Sequence, residues 1–348
     1  MMNQIAQLRL SAQHITQADF IKPETVVKHL LALQAQDYNG ALWSIGLRTK
    51  AATKHEVEKA IADRKIVRTW PMRGTLHFVH AEDVHWLVNL LAPRATASVK
   101  NRRVQQLGLT DAVVAEAEKV LRSELKGGKY VLRSDVVKLL SQKVKGLTIT
   151  NQHTQHLMRN FGERGIICFG SHVGKQPTFV LLDEWAPKKH EKTRSEALAE
   201  LAKRYFISHG PATVKDFAGW CFMTITEART AIELAKDELQ ELIDERTTYY
   251  QAPELKTLTT STYLLPGFDE YILGYKDRSA VLSAVHANKI VPGNNGMFLP
   301  TIVQKGQVIG TWKRLPKKAL ELQSYPFYKG KLNLGPATEK YRHFLETV

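Results

Sequence analysis

Two glutamines one residue apart, Gln34-Ala35-Gln36, followed directly by Asp37, are the side chains whose types and spacing most invite chemistry. A carboxamide cannot serve as a base in neutral water. Its carbonyl oxygen accepts a hydrogen bond and its NH2 donates one, so such a pair can position a water molecule without deprotonating it. Asp37 adds a carboxylate, which is either an electrostatic partner or base for the pair, or a helix-terminal residue with a structural duty. Taken alone, the cluster reads as a helix end, with glutamines satisfying terminal carbonyls.

Further groups are spread along the chain. Arg73 sits in a short link between two extended runs and His77 in the second run, where each is either a polar hairpin residue or a group that reaches a ligand. Asn151, Gln152, His153, Gln155, His156, Arg159 and Asn160 crowd one helical segment opposite Leu157, Met158 and Phe161, an amphipathic split whose polar face is either solvated or presented to a partner. Lys175 stands in the glycine-rich stretch Gly170 to Pro177. Asp269 and Glu270 read as consecutive strand positions whose side chains face opposite ways, which argues against a shared acid–base site. Basic runs occur at Lys100 to Arg103 and Lys313 to Lys318.

The elements that must position these groups follow from periodicity. Pro23 opens an apolar-periodic helix through Val26, Val27, Leu30, Leu31 and Leu33 that is expected to end near Gln34. Gly40 to Arg48 and Lys54 to Ala62 read as helices, and Ile66 to Met72 and Thr75 to His80 as strands joined by Arg73-Gly74. Three helices followed by a hairpin is the order of a winged helix-turn-helix. That order returns in helices at 112–125, 133–142 and 151–164, the last capped by Thr150 and closed by Gly165, with strands at 166–169 and 178–182. It returns again in helices at 195–208, 214–220 and 226–236 with a hairpin at 239–250. Beyond about Tyr263 the chain turns β-leaning and is punctuated by Pro and Gly. The expected fold class is therefore α+β, with three tandem winged helix-turn-helix units at 1–108, 109–187 and 188–260 and a C-terminal β-rich domain at 261–348.

Composition bounds the function. The 348 residues carry 49 Lys plus Arg against 34 Asp plus Glu, a net charge of +15, which favours a polyanionic partner through phosphate neutralisation and counterion release. Two cysteines, Cys168 and Cys221, lie far apart, so neither a disulfide framework nor a cysteine-based zinc site is indicated and a reducing compartment is expected. The N-terminus lacks an apolar signal core, and no stretch approaches the ~20 apolar residues that span a bilayer. A cytoplasmic, nucleoid-associated protein with no membrane contact is expected.

The passages Leu33 to Asp37, Arg68 to His77, Leu265 to Arg278, Gly296 to Pro300 and Gly310 to Arg314, taken in that order, resemble the AlkZ-like winged-helix DNA glycosylases across nearly the whole chain. The resemblance implies excision of purines alkylated at N7, including those joined in interstrand crosslinks, from double-stranded DNA. It also implies that Gln34 and Gln36 are catalytic; the chemistry of the cluster, not the resemblance, sets Asp37 beside them as a candidate for electrostatic support. Glutamine at position 36 is similar to the crosslink-unhooking branch rather than to the branch with aspartate there. Arg73, His77, Asn151, Gln152, Gln155, Arg159 and Lys175 are the expected DNA contacts. No metal or organic cofactor and a monomeric state are expected. The alternative is a non-catalytic winged-helix transcriptional regulator, which would be expected to dimerise on a palindromic operator.

Overall fold

The computed structural model describes residues 2–145, 148–244, 246–258, 261–315, 321–328 and 332–346. Pro316, Lys317 and Lys318 of the second basic run lie outside them. The chain forms two compact units, one of residues 1–59 with 198–348 and one of residues 60–197. Packing thus joins the two ends of the chain, whereas the four expected segments divide it by element order.

In the unit of 60–197, the strands Ile66–Met72 and Thr75–His80 form the expected hairpin, with Ile66 opposite His80 and Thr69 opposite His77. The link works because Arg73 and Gly74 both take left-handed backbone (φ 56° and 68°), the geometry of a tight two-residue turn. Pro71 sits where the register slips between Thr69 and Met72, as a residue without an N–H requires. Next to Ile66–Met72 pairs Ile167–Phe169, followed outward by Thr178–Leu181 and by Val131–Leu132. One apolar core backs this sheet, built from Leu121, Leu140, Leu157, Phe161 and Ile167, all fully buried, with Trp70 beside the Phe169 and Phe179 rings. The helix Val84–Ser98 runs through Pro93 and the helix Lys100–Leu107 carries the first basic run; neither has a counterpart among the expected elements.

In the other unit, strands Thr262–Leu265, Thr301–Gln304, Gln307–Arg314 and Leu322–Pro326 make an antiparallel sheet in that order. Helices Met2–Ala12, Tyr38–Arg48 and Val214–Cys221 belong to the same body, held by polar contacts among buried residues. Arg9 donates to the Pro211 carbonyl at 2.9 Å, and Tyr271 donates to the Ala6 and Gly306 carbonyls at 3.0 and 2.7 Å. Among the described residues no helix is long and apolar enough to cross a membrane.

His29, on the helix Pro23–Leu30, bonds the Ala12 carbonyl at 2.7 Å and packs on His14 and Phe20. Burial pushes its pKa down to about 3. The unfolded chain takes up a proton near pH 6.5 that the folded chain refuses. The His29 contribution is therefore whole above pH 6.5 and is lost as pH falls toward 3, on the order of a few kcal/mol. His29→Gln, which keeps a donor for Ala12, is expected to move the acid-unfolding midpoint to lower pH, as followed by circular dichroism.

Candidate functional site

The helix that begins at Pro23 ends at Leu30, because Leu31 turns into positive φ (67°), and Ala32–Gln34 continues as extended chain. The expectation of a helix running to Gln34 is corrected here: the glutamines follow a sharp reversal and do not cap a helix. Leu31, Ala32 and Leu33 are buried, which fixes the reversal by side-chain packing. Gln34 is partly buried and Gln36 is exposed. The Gln34 carbonyl oxygen Oε1 is itself buried and has no hydrogen-bond partner in the protein, an acceptor in need of a water or a ligand.

Asp37 is the N-cap of the helix Tyr38–Arg48, its Oδ1 accepting the Gly40 N–H at 3.1 Å. Its structural duty is thus explicit, and its exposed carboxylate lies next in the chain to exposed Gln36.

Beneath Gln34 lies a residue that sequence reasoning placed elsewhere. Asp269 and Glu270 do not occupy a strand. Asp269 N-caps the short helix Glu270–Leu273 by accepting the Tyr271 N–H at 2.9 Å. The strand preference inferred for this stretch yields because a carboxylate at this N-cap satisfies a helix donor and also meets a buried guanidinium. Asp269 receives Arg48 through two bonds of 2.9 Å and the Ser44 hydroxyl at 2.5 Å. Arg48 also donates to Gln13, to its carbonyl at 3.0 Å and to its Oε1 at 2.6 Å.

Glu270 accepts the Gln34 backbone N–H at 3.2 Å and the Trp220 indole N–H at 2.9 Å. Its second oxygen lies 3.5 Å from His209 Nε2, and the His209 ring stacks on Tyr205 at an interplanar angle of 10°. The Phe-Asp-Glu-Tyr order, with a helix-capping aspartate before glutamate, was the available signal for this arrangement.

In the unit of 60–197 the structure brings Arg73, His77 and Arg159 to one place. His77 is fully buried. Its Nδ1 faces the Thr75 carbonyl at 2.9 Å and must donate there, leaving Nε2 to accept from Arg73 at 3.0 Å. His77 therefore buttresses Arg73 from a buried strand position, the structural alternative open to it from the sequence.

Arg159 pairs with buried Glu163 at 2.7 Å, and Glu163 also accepts the Thr96 hydroxyl at 2.9 Å. The Arg159 guanidinium lies over Gly74, whose added Cβ would meet it at 2.1 Å. Gly74→Ala combines that clash with a left-handed φ, and is expected to lower stability by about 1–2 kcal/mol, read as a lower urea midpoint.

Along the helix Asn151–Glu163, Asn151, Gln152 and Gln155 are exposed, whereas His153 closes a capping box with Thr150. Asn160 was expected on the polar face and is buried, because this part of the helix turns toward the apolar core. The His156 pKa is lowered by burial first and then by Arg102, Arg159 and Arg103, which sets the first basic run beside this helix. Arg103 is buried, with Nε and Nη1 unpartnered. Lys175 is exposed at the tip of the link joining Ile167–Phe169 and Thr178–Leu181, next to left-handed Gly174. Both cysteines are buried, and burial pushes the Cys168 thiol up, so Cys168 presents no thiolate.

Three comparisons bear on this arrangement. The family described as "DNA glycosylase AlkZ-like" matches residues 27–329. An interstrand DNA cross-link repair glycosylase of Streptomyces sahachiroi is 26% identical over 349 residues, covering 88% of this chain and 92% of that protein. The structure of Streptomyces sahachiroi DNA glycosylase AlkZ superposes with a TM-score of 0.82 at 24% identity, covering 98% of this chain and 95% of the other, and so shares its mixed helix-and-sheet fold. With a match that takes in Gln34, Arg73, Arg159 and Glu270 alike, the chain belongs to the AlkZ-like family of DNA glycosylases, hydrolases of N-glycosyl bonds.

Proposed function

We propose that this protein hydrolyses the N-glycosidic bond of purines alkylated at N7 in double-stranded DNA, including those tied into interstrand crosslinks, with Gln34 and Gln36 holding the attacking water. The observation that carries this is the buried, unpartnered Oε1 of Gln34. Alkylation at N7 makes the purine cationic and so a good leaving group. What remains for the enzyme is to orient water at the anomeric carbon and to stabilise positive charge growing on the sugar, and carbonyl oxygens suit both tasks. The relative from Streptomyces sahachiroi, named for interstrand cross-link repair, points the same way.

The reaction is monofunctional in this reading. A lysine nucleophile would give a Schiff base and strand cleavage, and the segment Gln34 to Asp37 has no lysine. No cofactor takes part, and the protein acts as a monomer on nucleoid DNA.

Three winged-helix units present the DNA-binding surface. The second is supported by a helix (Asp111–Leu125), a strand (Val131–Leu132), two helices (Val136–Lys143 and Asn151–Glu163) and a strand pair, in that order. The third is supported by Arg194–His209, an Ala212–Tyr250 bridge, helices Val214–Cys221 and Ile225–Ala235, and the hairpin Gln240–Asp244 with Thr247–Gln251. Arg73, Arg159, Asn151, Gln152, Gln155 and Lys175 contact the duplex, and His77 acts through Arg73.

The test is incubation with duplex DNA carrying one N7-methylguanine, or an N7-linked crosslink, followed by alkali to break the chain at abasic sites. Alkali-dependent cleavage at the lesion is expected. An inert protein that instead protects a defined operator would replace this reading with that of a regulator.

A further inference from the structure

The carboxylate of Glu270 is completely buried and bonded on both sides: Oε1 takes the backbone N–H of Gln34, 236 residues away in sequence, and Oε2 takes the indole N–H of Trp220. We propose that Glu270 is the positioning residue of the Gln34-Ala35-Gln36 segment: it fixes the Gln34 backbone so that the orphaned Oε1 of the Gln34 side chain points where water must sit. The proposal rests on the reading of Gln34 as a water-holding residue.

The physical case begins with the backbone. Gln34 ends a three-residue extended stretch that begins just after the left-handed Leu31 and is followed by exposed Gln36 and Asp37. An acceptor on its N–H removes the peptide rotation that would swing the side chain away, and a charged acceptor holds it more firmly than a neutral one. Small errors in placing a reacting water are costly in rate, so support of this kind acts on turnover rather than on affinity.

The surroundings of Glu270 explain why a carboxylate is needed. The Ser208 hydroxyl spends its one proton on the Arg204 carbonyl at 2.7 Å, so His209 Nδ1 donates to Ser208 Oγ at 2.8 Å. His209 Nε2 then lies 3.5 Å from Glu270 Oε2 and has no hydrogen-bond partner. Gln34 and Trp220 both present N–H groups, so both oxygens of residue 270 must accept. A glutamine there has one acceptor for two donors, and its NH2 is forced against either Gln34 N–H or the indole N–H. Removing the indole N–H relieves the conflict: in Trp220→Phe/Glu270→Gln the amide oxygen takes Gln34 N–H and the NH2 no longer faces the indole N–H.

The experiment measures single-turnover excision of N7-methylguanine and DNA affinity by fluorescence anisotropy, with near-UV circular dichroism confirming the fold, for wild type, Gln34→Ala, Trp220→Phe, Glu270→Gln and the double variant. Expected are a rate loss of roughly tenfold or more in Glu270→Gln with unchanged affinity, little loss in Trp220→Phe, and recovery of most of the lost rate in the double variant. A merely structural role would not produce that recovery, since the double variant removes more native contacts than either single change. Excision at the wild-type rate in Glu270→Gln, with Gln34→Ala inactive, overturns the proposal. A folded double variant as slow as the single one also overturns it, because the carboxylate would then act through its charge. If Gln34→Ala excises at the wild-type rate, the water-holding reading itself fails, whatever residue 270 does. Should Glu270→Gln alone fail to fold, the double variant against Trp220→Phe decides by the same rates.

Discussion

Gln34→Ala is expected to slow base excision by roughly a hundred- to thousandfold, the usual cost of losing one preorganised polar group aimed at developing charge. The reason lies in the division of labour. In the proposed reaction a cationic N7-alkylpurine leaves readily, so little acid catalysis is required and the enzyme's contribution would be concentrated in a few fixed dipoles. Gln34 Oε1 is such a dipole, buried and unspent on the protein. Gln36→Ala is expected to follow it with a loss of similar kind, from an exposed position. DNA binding should persist in both, because phosphate contacts made by arginine and lysine dominate affinity. Single-turnover rates set beside anisotropy titrations separate the two effects. Full activity in both variants would remove the catalytic assignment while leaving family membership intact.

The second large effect concerns stability. Arg48→Met is expected to cost about 3–5 kcal/mol, because it strands the buried carboxylate of Asp269 without its partner. Both side chains are completely buried, the guanidinium meets Asp269 in a two-bond fork, and it also donates to Gln13 and Ser44. Equilibrium urea unfolding measures the cost as a fall in midpoint at constant slope. The double variant Arg48→Met/Asp269→Leu is expected to regain part of the loss, since a paired apolar replacement leaves no uncompensated charge. It cannot regain all of it, because Asp269 also caps the helix that carries Glu270. A single Arg48→Met variant as stable as wild type would show that the Ser44 hydroxyl and the Tyr271 N–H alone suffice to hold the Asp269 carboxylate.

Elements set by short-range rules were legible in the sequence. The hairpin Ile66–Met72 and Thr75–His80 has its bounds where strand-forming residues meet Arg73-Gly74, since a tight turn needs positive φ and glycine supplies it. The helix Asn151–Glu163 begins at Thr150 and gives way to left-handed Gly165, because both signals act within a few residues. The paired amides Gln34 and Gln36 and the net charge of +15 are likewise properties of the chain as written.

Tertiary structure decided what depends on distant partners. No local rule ends a helix at Leu30 in the middle of an apolar run; Leu31 accepts a left-handed backbone because burial of its side chain and its neighbours outweighs the strain. Asn160 continues a polar helical face by sequence but is buried in the folded chain, and His77 lies in a strand whose inner positions are all buried, where it meets Arg73. Asp269 and Glu270 look alike as adjacent carboxylates. One neutralises a guanidinium from position 48 and the other holds the backbone of position 34, a separation of duties made by packing across more than two hundred residues. The sequence by itself thus determined which groups could hold water and a charge that favours a polyanionic partner, because residue type and charge are local. Only the folded chain decided which carboxylate stands behind the glutamines, because that is a matter of which buried donors need an acceptor.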